Sequence, residues 1–340
     1  MCVWGGAVNK SLKAVVLIAA NLLAGVAVAE CDSGERIIRM SHINKPYNHP
    51  IGDAASELEK RVNVEMNGIA CMEVFGNSLL YTDDRVVRAL LENDIQLAVP
   101  SYGALDEYTR TFRVFGLPFV FKNITAVGQF QESASARSLL IGMRGFGIRG
   151  LDFWQTGMLQ MSANTALSIP NKAKKLTFRS TGSTVSNVQF AAMGAYARPI
   201  SFASLYGALE SGELDAAEES WANFLDKRIF EVQSDLTETN HAVGGNILIM
   251  AHDWYKNLEP EVRDPLMRII AEVSKKQREQ VADQEYDAKT VILEQGGNIV
   301  ELSSAERAEW RKELSGVFKH FSNEVNPVFV RLIDRINTEN

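Results

Sequence analysis

The chain carries in succession RIIRMS (36–41), IGDAASELEKRVNVEMN (51–67), CMEVF (71–75), DDRVVRALLEN (83–93) and IQLAV (95–99). The first, third and fifth segments are short apolar runs typical of strands, and the other two have apolar residues at helical spacing. Strands that alternate with helices in this way form a parallel sheet with helices on both faces. The segment therefore predicts an α/β fold.

A second series of elements begins near Arg149. We predict strands over 150–154, 176–179, around Leu214 and over 246–251, and helices over 133–143, 183–193 and 204–211. Residues 260 to about 294 predict one helix of roughly 50 Å, long enough to cross two lobes. Residues 303–337 are helical again, with a break at Pro327. We therefore expect two lobes that share hinge strands and a long helix.

Residues 1–29 have the pattern of a cleavable export signal. Lys10 and Lys13 precede an apolar stretch (14–29) that ends in an A-x-A motif. This stretch is shorter than the about 20 apolar residues of a membrane-spanning helix, and Asn21 interrupts it. We expect cleavage after Ala29, which leaves 311 of the 340 residues as a soluble exported chain. An uncleaved membrane anchor is the alternative.

The composition excludes several classes of protein. Hydrophobic residues make up 46% and charged residues 23% of the chain, as in an ordinary soluble globular protein. The net charge is −7, and loss of two lysines with the signal makes it −9. Contact with nucleic-acid phosphates needs a basic face, so we expect no nucleic-acid partner.

The cysteines leave two possibilities open. Cys2 leaves with the signal, while Cys31 and Cys71 lie at or just before the starts of two predicted parallel strands. Such starts lie at the same end of a sheet, so a disulfide is geometrically possible in an oxidising compartment. Two free, half-buried thiols are the other reading.

The sequence offers no clear motif for cofactor, metal or covalent chemistry. G-x-G-x-x-G occurs at 145–150, but it follows a predicted helix and precedes a strand, the reverse of a dinucleotide site. His42 and His49 lack partners at metal-ligand spacing, and no G-x-S-x-G motif is present. We expect no cofactor, no metal and no catalysis.

Candidate binding residues lie where the predicted strands end, because ligands of open α/β sheets bind at the carboxyl ends of the strands. Arg179 ends a strand and faces a turn that opens a helix, a favourable place for a carboxylate or phosphate. A structural salt bridge is the other reading of Arg179. The first lobe offers polar residues at equivalent positions: His42, Asn44, Asn48, Asn77, Ser101 and Tyr102.

Several segments resemble the DctP-type substrate-binding proteins of tripartite ATP-independent periplasmic (TRAP) transporters. They are FGLPFVF (115–121), ISFASLYGAL (200–209), GELDAAE (212–218), NSLLY (77–81) and TNH (239–241). The resemblance runs from about residue 36 to 271. It implies a two-lobed α/β fold of the periplasmic binding protein type, closure on a small organic acid, and delivery to a permease with large and small membrane subunits. The expected lobes are 30–155 with about 243–285, and 156–242 with about 286–340, whose C-terminal helices are free to pack back on the first lobe.

The resemblance also assigns roles to individual residues. Arg179 matches the carboxylate-clamping arginine of the family, and Phe202 matches the aromatic residue of its pocket. Two positions depart from the pattern: Leu159 stands where the family often has a second Arg or Lys, and Glu219 stands where it has Asn. Together these departures change the formal charge of the pocket by −2.

The altered charge suggests a particular ligand. A second ligand carboxylate would meet Glu219 without a counter-charge, and desolvated like charges repel strongly. We therefore expect a monocarboxylate on Arg179 with a hydroxyl or amine facing Glu219, and an apolar or aromatic body stacked on Trp154 and Trp221. One alternative is a C4-dicarboxylate as the ligand. Another is that Glu219 pairs with Arg179 as a structural partner and Trp221 belongs to the hinge core.

The sequence as a whole predicts a periplasmic solute receptor, expected to be monomeric. A periplasmic enzyme that uses His42 or Glu219 as a base is a rival interpretation. A ligand-sensing subunit of a membrane receptor is another, because a docking face for either partner is ordinary polar surface.

Overall fold

The computed structural model describes residues 1–2 and 31–339, so the predicted export signal lies outside the described residues apart from its first two positions. The strands are β1 (Arg36–Ser41), β2 (Ala70–Phe75), β3 (Leu97–Ala98), β4 (Ile148–Met158), β5 (Gln160–Ala163), β6 (Thr177–Ser180), β7 (Tyr196–Pro199), β8 (Ala216–Glu219), β9 (Asp235–Glu238), β10 (Val243–Ala251) and β11 (Ile299–Glu301). The helices are α1 (Pro50–Glu65), α2 (Asp83–Leu91), α3 (Arg113–Gly116), α4 (Ile124–Glu132), α5 (Ala134–Gly142), α6 (Thr184–Ala192), α7 (Leu205–Glu210), α8 (Trp221–Asp226), α9 (His252–Lys256), α10 (Pro260–Glu294), α11 (Ser304–Phe321) and α12 (Pro327–Glu339). Within these ranges, no helix has both the length and the apolar character to cross a bilayer.

The first sheet has the strand order β2-β1-β3-β10-β4. β1 pairs in parallel with β2 and β3, as the alternation of strands and helices predicts. β10 runs antiparallel to β3 and β4, which was not predicted. It is antiparallel because the chain enters it from the second sheet and not through a crossover helix.

The second sheet has the order β11-β9-β5-β8-β6-β7. β6 lies between β7 and β8 and is parallel to both, whereas β5 is antiparallel to β8 and β9. The strand expected around Leu214 begins two residues later, and Leu214 itself packs in the core beneath it. Sequence analysis missed β5, β7, β9 and β11 because strands of three or four residues are too short to show a period of two.

Two crossings join the sheets side by side. β4 continues into β5 with Leu159 alone between them, and residues 239–242 lead from β9 back to β10. Leu159 donates its N–H to the Ala242 carbonyl at 2.8 Å, and His241 donates to the Leu159 carbonyl at 3.3 Å. The crossings are thus hydrogen-bonded to each other, as expected for a hinge.

The 35-residue helix α10 covers both sheets, and its predicted bounds are confirmed. It packs on α1 and β4 beside the first sheet and on α8 beside the second. The predicted break at Pro327 is confirmed too, because α11 ends at Phe321 and α12 begins at the proline. α12 packs back on α4, where Phe329 meets Phe130 edge to face.

Cys31 and Cys71 form a disulfide, with 5.5 Å between their Cα atoms. Cys71 lies in β2, beside Ile37 of β1. The bond therefore ties the segment before β1 to the neighbouring strand.

Candidate functional site

A small cavity of about 90 Å³ lies between the two sheets, at the carboxyl ends of β1 and β6. A wider groove of about 1,000 Å³ opens from solvent, between α2 and the loops after β6 and β7, onto the same Arg179. The cavity is lined from the first sheet by Asn44, Asp83, Ser101 and Tyr102, from the second by Arg179, Phe202, Glu218 and Glu219, and at the crossings by Thr156, Leu159 and Gly244. This placement fits the rule for open α/β sheets, and it coincides with the rim that the sequence predicts.

Arg179 is held in a fixed orientation at the end of β6. Its Nε donates to the Ile200 carbonyl at 2.9 Å, and its Nη1 donates to Glu219 Oε1 at 2.5 Å. The guanidinium lies 5.3 Å from the centre of the Phe202 ring. Arg179 and Glu219 are 6% and 4% exposed, so the ion pair is buried within the wall of the cavity.

This ion pair is the arrangement that the sequence left open as an alternative. Burial raises the pKa of the Glu219 carboxyl above its usual range, and the neighbouring Arg179 and Asn223 only partly oppose that shift. Among the described hydrogen bonds, none has Arg179 Nη2 as its donor. Arg179 can therefore still donate hydrogen bonds to an incoming anion.

A chain of hydrogen bonds leads from Glu219 across the cleft to the first lobe. Asn223 donates its Nδ2 to Glu219 Oε2 at 2.7 Å, and its Oδ1 accepts from Asn44 Nδ2 at 3.1 Å. His49 Nε2 lies 2.9 Å from the same Oδ1 and must be the donor, because its Nδ1 already accepts from the Ile51 N–H. Asn223 thus links the Arg179–Glu219 pair to the first lobe by hydrogen bonds.

The remaining charges of the lining are internally compensated or shielded. Arg113 forms a paired contact with Asp106, and Glu218 accepts from His241 Nε2 at 2.7 Å. Asp83 has no cation partner among the described residues; it accepts from the Ser101 N–H and hydroxyl, and burial raises its pKa. The described lining thus offers no unpaired cation to a second carboxylate.

Four of the residues that sequence analysis proposed, Asn44, Ser101, Tyr102 and Phe202, do line the cavity with Arg179 and Glu219. Asn44 reaches it from the loop after β1, Phe202 lies beside the Arg179 guanidinium, and Tyr102 stacks on Phe115 with ring centres 4.6 Å apart. His42 lies just behind the lining, 1% exposed, and neither of its ring nitrogens has a partner among the described residues.

Four other proposed residues are placed elsewhere, and one of them, Asn48, is exposed and does not line the cavity. Trp154 is fully buried between the first sheet and α10, and its indole N–H donates to Ser274 at 2.8 Å. Trp221 packs in the core of the second lobe, 4% exposed. Asn77 sits in a turn with φ of 53° and is exposed. The two tryptophans share one cause, because both faces of the second half of β4 and the start of α8 are buried, which leaves neither side chain access to the cavity.

Sequence analysis also missed residues that belong to the site. Asn223 follows Glu219 by four residues across the turn from β8 to α8, and this nearness in sequence was a usable signal for a side-chain pair. Asp83 and Thr156 carried no such signal, because only the tertiary fold brings them to the cavity.

Comparison with known proteins agrees with this geometry. Residues 40–324 match the family model of DctP, the bacterial extracellular solute-binding proteins of family 7. The C4-dicarboxylate-binding periplasmic protein DctP of Vibrio cholerae is 41% identical over 316 residues, covering 92% of this chain and 95% of that protein.

Solved structures of TRAP periplasmic solute-binding proteins have the same fold. The protein from Shewanella oneidensis, with bound succinate, has a TM-score of 0.86 at 32% identity and covers 89% of this chain and 99% of its own. The protein from Pseudomonas aeruginosa, with bound L-malate, has a TM-score of 0.81 at 31% identity and covers 84% of this chain and 99% of its own. The predicted two-lobed α/β fold is confirmed. The chain belongs to the DctP family of bacterial extracellular solute-binding proteins, the periplasmic solute receptors of TRAP transporters.

Proposed function

We propose that this receptor binds a C4-dicarboxylate such as succinate or malate between its lobes and delivers it to a TRAP-type permease with large and small membrane subunits. The observation that carries the proposal is the buried guanidinium of Arg179, which keeps a donor for an anion in a cavity of about 90 Å³. Sites for drug-sized ligands measure about 300–1,000 Å³. A cavity this small suits a short, compact acid.

The relatives support the same ligand class. The relative at 41% identity is described as C4-dicarboxylate-binding, and the two solved neighbours above 30% identity hold succinate and L-malate. Neighbours that hold sugar acids are less similar, at 18–22% identity. Similarity thus favours the dicarboxylate that sequence analysis kept as its alternative.

The monocarboxylate with an aromatic body is less well supported. Its stacking partners, Trp154 and Trp221, lie in the cores of the lobes and not on the cavity. In our proposal Arg179 clamps one carboxylate, and neutral donors from the first lobe, among them Asn44 and Tyr102, receive the second.

The receptor works by a population shift between open and closed forms. Ligand binds first to one lobe, and the closed form adds contacts from the other, so the ligand favours closure by its differential affinity. The lobe boundaries that we infer are 30–155 with about 243–285, and 156–242 with about 286–340. The bonds from Asn223 to Asn44 and His49 then belong to the closed form.

An enzymatic role is less compatible with the site. The sequence suggested His42 or Glu219 as a base, but His42 lies behind the cavity lining and Glu219 is engaged by Arg179. The family is one of solute receptors.

Isothermal titration calorimetry tests the proposal with a panel of succinate, L-malate, butyrate and glucuronate. We expect succinate or malate to bind in the nanomolar to micromolar range, about −8 to −12 kcal/mol, and tighter than the other two. Arg179→Ala should reduce the affinity at least tenfold. Arg198→Ala is the matched control, because Arg198 lies opposite Arg179 in the β6–β7 register but pairs with Glu213 at the surface. Tighter binding of butyrate or glucuronate than of both C4 acids would overturn the proposal.

A further inference from the structure

Glu219 is hydrogen-bonded to the Arg179 guanidinium, the group that the ligand carboxylate needs. Its Oε1 accepts from Arg179 Nη1, and its Oε2 accepts from Asn223 Nδ2. An arriving ligand carboxylate therefore meets a guanidinium that already has a carboxylate partner. Either the two anions share one cation in a buried site, or one of them loses its charge.

The small cavity has no further unpaired cation among its described lining residues, and the exposed Arg85 of the wider groove is not part of that lining. Glu218, next to Glu219 on β8, adds a second negative charge, and its partner His241 lies on its far side. From the first lobe, the Asp83 carboxyl faces Arg179 and forms no salt bridge with any described residue. Arg113 is engaged by Asp106 and Glu324.

The other titratable groups near Glu219 do not supply the missing charge. His49 reaches Glu219 only through Asn223, and burial lowers its pKa to about 3. His42 is likewise buried, with its pKa lowered to about 4, so both histidines are neutral near pH 7. Lys227, after α8, lies over the outer side of the Phe202 ring and pairs with Asp226.

We propose that Glu219 is the specificity-determining acid of this site and takes up one proton from solvent when the dicarboxylate binds to Arg179. This inference rests on the proposed function. The proton comes from bulk water and forms an O–H bond at Oε1, because Oε2 keeps its hydrogen bond from Asn223. Neutral Glu219 then releases Nη1 to the ligand and donates its new O–H to the same ligand carboxylate. The complex keeps one guanidinium against one nearby carboxylate charge.

Protonation of Glu219 removes the repulsion between its carboxylate and the carboxylate of the ligand. The family pattern has Asn at this position, a neutral donor, whereas Glu219 gives this receptor a donor only in its protonated form. The affinity for a dianion therefore depends on pH. Where free Glu219 is ionised and bound Glu219 is protonated, the dissociation constant rises as pH rises, up to tenfold per pH unit.

The test is calorimetric titration of succinate into the wild-type protein at about pH 7.5, in phosphate and in Tris buffer, whose ionisation enthalpies differ. The enthalpy difference reports the number of protons exchanged, which we expect to be close to one taken up. The wild-type measurement needs no variant and so does not depend on the folding of one. Across about pH 7 to 9, where succinate is fully ionised, the dissociation constant should rise.

Two variants locate the proton. Glu219→Gln keeps the shape and supplies a neutral donor, so it should bind succinate at least as tightly as wild type, with no proton uptake and no dependence on pH. Asp83→Asn changes the other buried carboxylate that lacks a cation, and it should retain the uptake. Succinate binding without uptake, or uptake that persists in Glu219→Gln, would overturn the inference and leave the dicarboxylate function standing. If no C4 acid binds wild type or Glu219→Gln at any pH tested, the proposed function itself fails.

Discussion

Gly103 offers a direct test of how the lobes close. It lies after β3 in the first lobe, with φ of −66° and ψ of −41°, a conformation that any residue adopts. A Cβ added there would lie 2.7 Å from Thr181 Oγ1, 3.1 Å from the Thr181 carbonyl oxygen and 3.3 Å from Ser183 Cβ, all in the second lobe. Gly103→Ala therefore places a methyl group in the contact between the lobes.

The expected effects on folding and on binding have opposite signs. In the unliganded protein, replacing Gly by Ala at a compatible backbone conformation stabilises by about 0.4–1 kcal/mol. In the closed form the Thr181 hydroxyl can rotate away, but the carbonyl oxygen cannot, and overpacking of this kind costs about 1–3 kcal/mol. That cost weakens ligand binding about 5- to 150-fold.

Calorimetry with succinate and thermal unfolding without ligand measure the two effects separately. Gly316→Ala is the matched control, because Gly316 lies in α11 and a Cβ there meets nothing within 4 Å. We expect Gly103→Ala to lose affinity with an unchanged or raised midpoint of unfolding, and Gly316→Ala to keep wild-type affinity. Wild-type affinity in Gly103→Ala would refute the idea that this contact belongs to the liganded form.

Trp154→Phe should lower the free energy of unfolding by about 1–3 kcal/mol, because it leaves the Ser274 hydroxyl without its buried donor, and should leave succinate affinity unchanged; a loss of affinity at unchanged stability in urea unfolding would return Trp154 to the cleft. Glu285 is buried on α10 with its pKa raised from 4.5 to about 8, so it contributes stability that is lost as pH rises through that window. Urea unfolding across the window should show wild type losing stability relative to Glu285→Gln, and parallel profiles would contradict the assignment. Replacing Cys31 and Cys71 together by Ser should cost about 4 kcal/mol in urea unfolding, since the bond closes a loop with a separation of 40 residues; an unchanged midpoint would show that the bond does not form in the purified protein.

Sequence patterns predicted best the elements whose periodicity is long or whose ends are marked. The 35-residue α10 was predicted with its observed bounds because a proline opens it and the apolar pattern persists throughout. Pro327 marked the start of α12 for the same reason. The three- and four-residue strands of the second sheet carried no such marks.

The site was predictable only where a residue's position in the fold follows from local sequence. Arg179 was found because it ends a strand before a turn. Trp154 was misassigned because both faces of β4 are buried, so alternation along the strand could not tell the core from the cavity. The pairing of Glu219 with Arg179 depends on the neighbouring positions of β8 and β6 in the sheet, which no local pattern encodes.

The crossings between the sheets also determine how the protein responds to a cut in its backbone. Each sheet draws strands from separate stretches of the chain, since β10 returns to the first sheet after β5–β9 have built the second. A protease that cuts one exposed loop therefore does not release a lobe. The two fragments remain held together by the other crossing, by α10, and by sheets that contain strands from both fragments. Neither sheet is built from one continuous stretch of the chain, so no single truncation separates the two sheets intact.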